Sequence, residues 1–287
     1  MRAADKQRPA PGTLVLDHVS HFVADLDAAA ALLQELGFAV TPRSEQKVEG
    51  EPVGAANRCV MLEEGYIEIL APTLDTPAAR RMRGSIERFV GVHLACFGTP
   101  DAEAEHRRLA AHGFEPQPLV DLQREVEAGS GKLVRFKVVR PAPEKMPEGR
   151  IQYVQQLAPE AIWTDANLAH DNGVVALRSV LVVAEDPIEA AARWARFTGL
   201  MPHPENGAVV LKAARGRVAI ASREDFSRLL FSCPSPPALA GYALGCRDPE
   251  RFAARLAGAG IAVRQSGARY AAALPAVLGG AWLLEPA

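Results

Sequence analysis

The 287-residue chain is about twice the size of a typical domain, and its apolar fraction of 48% and charged fraction of 23% are those of an ordinary globular protein. A formal net charge of -2 favours neither nucleic acid nor anionic membrane as a partner. The chain has no apolar run of the roughly 18–20 residues that a spanning helix needs and no secretory signal, and its four scattered cysteines fit no zinc or disulfide pattern. These observations exclude disordered, fibrous, membrane and disulfide-framework classes and predict reduced thiols in a cytoplasmic protein.

One pattern occurs four times along the chain: an apolar strand, an acidic or proline turn, an alanine-rich amphipathic helix, and glycine followed by an apolar residue. The four copies span residues 16–40, 92–118, 177–202 and 242–265. Further strand-like runs follow each helix, at 58–63 and 66–70, 133–139 and 151–157, 208–212 and 217–221, and 269–273 and 281–284. The repeating unit is therefore predicted to be a βαβββ module.

Residues that start and stop helices flank each predicted helix. The predicted N-caps are Asp25, Thr99, Asp186 and Asp248. Prolines fall at the predicted first helical positions of the last three helices, at Pro100, Pro187 and Pro249. The predicted terminating glycines are Gly37, Gly113, Gly199 and Gly260.

The stretch 158–173 breaks the repeat and contains an Asn-Gly pair. It predicts an amino-terminal domain over residues 1–157, a linker over 158–175 and a carboxy-terminal domain over 176–287. Two other polar stretches, 44–57 and 141–149, are predicted to be loops over or beside a site.

The fourfold plan, headed by LDHVSHFVADLDAAAALLQELGF, resembles the vicinal oxygen chelate superfamily. Within it, the chain resembles bacterial glyoxalase-like proteins with a QxxQxL-type strand and an HxNG segment, here QYVQQL at 152–157 and HDNG at 170–173. The resemblance implies an α+β fold in which four βαβββ modules pair into two partly open eight-stranded barrels. It also implies a divalent metal in a barrel cleft, held by the first and last strands of each module in a pair.

Carried onto this sequence, the family's metal ligands are His18 of LDHV, Glu68 of YIEIL, His93 of GVHLACF and Gln155 of YVQQL. Gln156 is the alternative to Gln155, because a strand end can shift by one residue. Two imidazoles, a carboxylate and an amide oxygen suit Fe, Ni, Co, Mn or Zn. Glu68, as the one carboxylate, is also the predicted catalytic base.

Strand alternation predicts which neighbours share the cleft with these ligands. Phe22, Tyr66 and Phe97 each lie an even number of residues from a predicted ligand, so they are the predicted substrate contacts. His21 and Cys96 each lie three residues from one, so they are predicted to face away from the metal.

The second pair of modules lacks the ligand types. Arg178 stands at the position of His18, Tyr242 at that of His93, and no Glu lies in phase on the closing strands. We expect this half to keep the fold without a metal, with Arg178 in a structural role. His170 and Asn172 of the HxNG segment are likewise expected to close the linker.

The resemblance favours a metal-dependent lyase or isomerase that chelates two neighbouring oxygens of a small substrate. An Fe(II) extradiol-type dioxygenase is the first alternative, although those enzymes carry the metal in the carboxy-terminal pair. A metal-independent binding protein of the antibiotic-sequestering (bleomycin-resistance) type is the second. The expected partner is a small molecule, and the chain is expected to be a monomer or homodimer.

Overall fold

The computed structural model describes residues 2–48, 50–126, 131 and 133–287, which form two eight-stranded sheets joined through a common core. The α+β fold class that the resemblance implied is confirmed. One sheet is a closed barrel and the other is an open, curled sheet, so the two halves differ in closure.

The first half forms the closed barrel, with strand order β1-β4-β3-β2-β6-β7-β8-β5. Its elements are β1 (Val15–Phe22), α1 (Leu26–Glu35), β2 (Ser44–Val48), β3 (Glu51–Met61), β4 (Tyr66–Pro72), α2 (Pro77–Arg88), β5 (Gly91–Gly98), α3 (Ala102–Ala111), β6 (Val120–Glu125), β7 (Leu133–Val139) and β8 (Arg150–Gln156). Short 3-10 turns occur at Asp5–Gln7, Pro143–Lys145 and Pro159–Ala161.

The second half forms the open sheet, with strand order β10-β11-β12-β9-β13-β16-β15-β14. Its elements are α4 (Asp165–Leu168), β9 (Val174–Val183), α5 (Pro187–Thr198), β10 (Pro202–Glu205), β11 (Ala208–Lys212), β12 (Arg217–Ala221), α6 (Arg223–Leu229), β13 (Ala238–Cys246), α7 (Pro249–Gly258), β14 (Val263–Ser266), β15 (Arg269–Ala273) and β16 (Ala281–Pro286). None of the described helices combines the length and apolar character that crossing a bilayer requires.

Local cap chemistry sets the helix starts. The side chains of Asp25, Asp186 and Asp248 accept hydrogen bonds from backbone N–H groups in the first turn, as predicted. For α3 the prediction of Thr99 is wrong, because Asp101 caps that helix and Thr99 instead accepts from the backbone N–H of Asp101.

The predicted loop at 44–57 is wrong, since it forms β2 and the first part of β3. The strand character was hidden because the hairpin is largely polar and half exposed, and β2 gains its place by pairing with β6 to close the barrel. The stretch 141–149 is a loop with one 3-10 turn, as predicted.

Packing between the halves is extensive. Side chains of the two halves meet at their junction, where Phe38, just after α1, makes edge-on ring contacts with Phe252 of α7 and Trp282 of β16. Phe97 makes the same kind of contact with Trp194 of α5. The apolar core between sheets and helices is therefore shared, while the interior of each sheet carries its own cluster.

Candidate functional site

The interior of the closed barrel holds the polar residues that the strand pattern predicted for it. His18 and Ser20 on β1 and Tyr66 and Glu68 on β4 all face inward, because β1 and β4 run parallel with His18 opposite Tyr66 and Ser20 opposite Glu68. His18 and Glu68 are each only 5% exposed. These two residues are the part of the predicted ligand set that the fold brings together.

A β-bulge at Asp17 orients His18. The register of β1 against β5 shifts between Leu16 and His18, and His18 Nδ1 lies 2.7 Å from Asp17 Oδ1. Asp17 is fully buried, and both of its carboxylate oxygens accept from Gln156 Nε2 at 3.2 Å. The Nδ1–H of His18 therefore points to a fixed carboxylate, which leaves Nε2 directed into the barrel.

The charge state of His18 depends on its neighbours. Burial disfavours the imidazolium, but the attraction of Cys96 and the hydrogen bond to Asp17 outweigh burial and raise the pKa of His18 well above its ordinary value. Burial also raises the pKa of the Cys96 thiol.

Three donors fix the carboxylate of Glu68. Asn57 Nδ2 donates to Oε1 at 2.6 Å, Gln46 Nε2 donates to Oε1 at 3.3 Å, and Ser20 Oγ donates to Oε2. The Oε2 atom lies 4.0 Å from His18 Nε2. An oriented imidazole and an oriented carboxylate thus face each other across the barrel interior.

His93 lies apart from this pair. It sits at a second bulge, where the register of β1 and β5 shifts between Ser20 and His21. Its Nε2 lies 2.7 Å from the backbone oxygen of Phe89, and its ring packs between Phe22 and Phe89. Burial lowers the pKa of His93 to about 4, so it is a neutral residue in the wall of the adjoining cleft.

Gln155 points out of the barrel, so the geometry does not support it as a ligand. Its Oε1 accepts from the backbone N–H of Ala102 at 3.1 Å, at the start of α3. Gln156 points inward, but its amide is engaged with Asp17. The inward residue of β8 that corresponds to Glu68 is Gln152. Ser20 of β1 lies opposite Glu68 of β4, and Cys96 of β5 lies opposite Gln152 of β8 in the same parallel arrangement.

Counting from the helix caps explains both displacements. His18 precedes the cap Asp25 by seven residues, and the residue that precedes the cap Asp101 by seven is Leu94. The module that begins with β5 therefore has a leucine where the first module has a histidine. Aligning LDHV with GVHLACF by histidine, and YIEIL with YVQQL by tyrosine, therefore pairs residues that are not structurally equivalent.

The same shift exchanges the faces of Cys96 and Phe97. Cys96, predicted to face away, lies in the barrel interior, where Gln152 Nε2 donates to its sulfur at 3.8 Å. Phe97, predicted to contact substrate, lies outside in the shared core beside Trp194 and Tyr153. Both predictions are corrected for one reason: a bulge adds a residue and reverses the alternation beyond it.

The donor set in the barrel does not fit a resident divalent metal. Such sites usually need at least three protein ligands, whereas the barrel offers His18 and Glu68, with Leu94 at the position of a further imidazole. The amide oxygen of Gln152 already accepts from Arg140 Nε at 3.1 Å, and a second guanidinium lines the same cavity. Over the described part of the chain, no group of three His, Cys, Asp or Glu side chains is arranged to hold a metal ion.

A small cavity adjoins the His18–Glu68 pair, and a larger cleft shares two of the residues that line this cavity. A cavity of about 40 Å³ lies inside the barrel against both residues, which is room for a few water molecules or the terminal atoms of a substrate. A cleft of about 580 Å³ lies beside it, between α2 and the loop 141–149. Arg140 and Arg150 line both spaces, and Phe22 lies in the wall of the cleft. Sequence reasoning missed these arginines, whose one signal was their position on either side of the predicted loop.

The second half carries no comparable site among the described residues. Arg178 forms an ion pair with Glu64 at 3.0 Å, and the hydroxyl of Tyr242 lies 2.9 Å from Nε2 of His21, so both bind the halves together. The interior of the open sheet is packed with alanine, leucine and valine side chains and covered by Phe226. His170 bridges the backbone of Ala39 and Met61, which is the structural role expected of the HxNG segment.

Comparison with known families decides the relationship. Residues 16–198 match the family described as glyoxalase-like domain. The chain belongs to this family. The match begins at β1 and ends with α5, so it includes the whole barrel and its cleft.

Solved structures show the same arrangement over almost the whole chain. A hypothetical protein from Staphylococcus aureus is 14% identical with a TM-score of 0.66, over 96% of this chain and 99% of its own. A variant of 4-hydroxymandelate synthase from Streptomyces coelicolor is 15% identical with a TM-score of 0.57, over 96% and 93%. A Mn(II)-bound glyoxalase from Novosphingobium aromaticivorans is 13% identical with a TM-score of 0.54, over 95% and 81%.

At these identities the likeness concerns the fold alone. Among curated proteins, sequence comparison finds no match to this chain.

Proposed function

We propose that the protein is a glyoxalase-like lyase or isomerase that moves a proton at a carbon next to a carbonyl of a small oxygenated substrate. The observation that carries the proposal is the facing pair of His18 and Glu68, 4.0 Å apart and each held by its own hydrogen bonds. A carboxylate and an imidazolium in fixed positions are a base and an acid that can act on one substrate.

Each residue has a distinct role in this proposal. Glu68 removes the proton from carbon, and His18, oriented by Asp17, donates to or stabilises the oxygen on which negative charge develops. The guanidinium groups of Arg140 and Arg150 favour the same anion, because they lie in the cavity that the oxygen enters. No step of the proposed reaction uses the metal that the resemblance implies, since the residues present do not complete its site.

Solvent-deuterium exchange tests the proposal without knowledge of the natural substrate. Pyruvate, phenylpyruvate and hydroxyacetone would be incubated in D2O with chelator-treated protein, and loss of the proton signal beside the carbonyl followed by NMR. We expect Glu68→Gln to slow exchange by about 100-fold or more, as removal of a general base does. The matched control is Glu103→Gln, on the outer helix α3.

Equal exchange by wild type and Glu68→Gln, or exchange that vanishes with chelator and returns with Mn(II), would contradict the proposal. A metal-independent binding protein is the second candidate, favoured by the wide cleft beside a small inner cavity. It would bind the same compounds and exchange none of them.

A further inference from the structure

The cleft beside the barrel is cationic and has no matching acids. Its charged lining consists of Arg81, Arg88, Arg140 and Arg150, and no Asp or Glu is among the described residues that line it. None of these four guanidinium groups takes part in an ion pair within the described chain, where many other arginines do. Arg81 and Arg88 are exposed, whereas Arg140 and Arg150 are partly buried, so the charges of these two are costly unless an anion enters.

The hydrogen-bond and ring partners of these arginines are neutral, although the Glu68 carboxylate in the barrel cavity attracts Arg150. Arg140 donates to the amide of Gln152, Arg88 lies over the ring of Phe89 at 5.2 Å, and Arg150 over the ring of Phe22 at 5.7 Å. Such contacts orient a guanidinium while leaving its charge available. Burial, then repulsion from Arg140, lowers the pKa of Arg150 to about 9, which leaves it charged at neutral pH.

Helix α2 shows the difference between paired and unpaired arginines. Arg80 and Arg83 bind the carboxylate of Asp75, at 2.9 Å and 3.5 Å. Arg81 and Arg88, on the same helix, line the cleft instead. The helix therefore neutralises one set of its cations and presents the other.

The remaining lining of the cleft is mostly apolar. Phe22, Met82, Met146 and Ile151 contribute to it, together with the prolines of the loop 141–149. An apolar body thus fits the same space as the anionic group, which is the usual composition of a small-molecule site.

We infer that the substrate is a small organic anion, whose carboxylate or phosphate binds these arginines while its apolar body fills the cleft. This inference rests on the proposed function, since it places the reacting end of the same molecule in the barrel cavity beside His18 and Glu68. Guanidinium groups bind both carboxylate and phosphate through paired hydrogen bonds, so the shared chemistry is an oxyanion.

Calorimetric titration with benzoate, phenyl phosphate and neutral benzamide tests the inference. We expect at least one of the two anions to bind about tenfold or more tightly than benzamide, and its affinity to fall as NaCl is raised. The tighter of the two anions identifies the oxyanion. Replacement of one charged donor, in Arg88→Gln or Arg150→Gln, should weaken that binding by about tenfold or more, and Arg80→Gln, the matched control on α2, should leave it unchanged.

Thermal unfolding shows whether weaker anion binding by a variant comes from a loss of folding rather than from the lost guanidinium group. Because burial and repulsion from Arg140 outweigh the attraction of Glu68 for the Arg150 guanidinium, Arg150→Gln should unfold at the same or a higher temperature than wild type in anion-free buffer. Benzamide binding as tightly as both anions, or Arg88→Gln and Arg150→Gln binding as wild type does, would overturn the inference. Anion binding with no deuterium exchange in any compound would instead overturn the proposed function and leave the anion site intact.

Discussion

Asp17 and His18 are neighbours in the sequence, and a single bulge turns both toward the barrel interior. Alternation alone places His18 and Glu68 correctly, because β1 and β4 pair without a register shift from His18 to Phe22. It fails at Cys96 and Phe97, where a bulge at His93 intervenes. The alternation of a strand can be recognised in a sequence, but an inserted bulge residue cannot. Residues beyond an unrecognised bulge are therefore assigned to the wrong face of the sheet.

Replacing Asp17 by Asn removes the carboxylate that positions His18 and keeps a side chain of nearly the same shape. We expect exchange activity to fall by about 10–100-fold, as with other residues that orient a catalytic histidine. The pKa of His18 should fall, because its hydrogen-bonded anion is lost, and the pH profile of exchange should move to lower pH. Asp27→Asn, at an exposed aspartate paired with Arg58, is the control. An unchanged profile in Asp17→Asn would show that His18 does not depend on this carboxylate.

The loop 141–149 is the element that shapes the cleft, and a buried ion pair holds it. Glu148 is fully buried, and both of its oxygens accept from Arg193 Nη1 of α5, at 2.8 Å and 2.9 Å. The prediction of a loop beside a site followed from its prolines and polar residues. The pairing with α5 could not be predicted, because it joins residues of different halves that only the tertiary fold brings together.

Arg193 also binds Glu189 on its own helix, at 3.0 Å, where the carboxylate is mostly exposed. Glu148→Gln leaves a half-buried guanidinium without its buried partner, so we expect a loss of about 3 kcal/mol of unfolding free energy. Glu189→Gln removes an exposed pair and should cost under about 1 kcal/mol. Urea denaturation of both variants measures the difference. Equal losses would mean that the buried pair does not hold the loop.

The two sheets act as one body because β1 contacts both. His21, on the outer face of β1, is fully buried; its Nδ1 lies 2.9 Å from the backbone oxygen of Leu278 and its Nε2 2.9 Å from the hydroxyl of Tyr242. The sequence predicted the four modules and the outward direction of His21. It did not predict that Trp194 and Phe197 of α5 contact Phe97 and Tyr153 of the first half, since the apolar residues of an amphipathic helix pack equally well against either sheet.

Acid should weaken this junction. Burial lowers the pKa of His21 to about 4, below the ordinary value of 6.5 expected for the unfolded chain. Because the pKa is lower in the folded state, the unfolded state binds the proton first as the pH falls. The contribution of His21 to the free energy of unfolding is therefore complete above pH 6.5 and is lost as the pH falls toward 4. Protonation of His21 should lower the free energy of unfolding by about 3 kcal/mol over that range.

Urea unfolding of wild type and His21→Gln from pH 7.5 to pH 4 measures that contribution. The variant should be less stable at neutral pH and should lose less stability on acidification, because the titrating group is gone. Parallel pH profiles would place the acid sensitivity elsewhere, with His93 the next buried neutral histidine.

We propose that the barrel interior is a proton-transfer site rather than a metal centre. The most direct test is the metal content of protein purified without chelator and then equilibrated with Mn(II), Fe(II), Ni(II), Co(II) or Zn(II), measured by mass spectrometry after gel filtration. Because one imidazole and one carboxylate are too few ligands to retain such an ion, we expect far less than one equivalent of each metal. One equivalent of any of them, lost in both His18→Ala and Glu68→Ala, would contradict it.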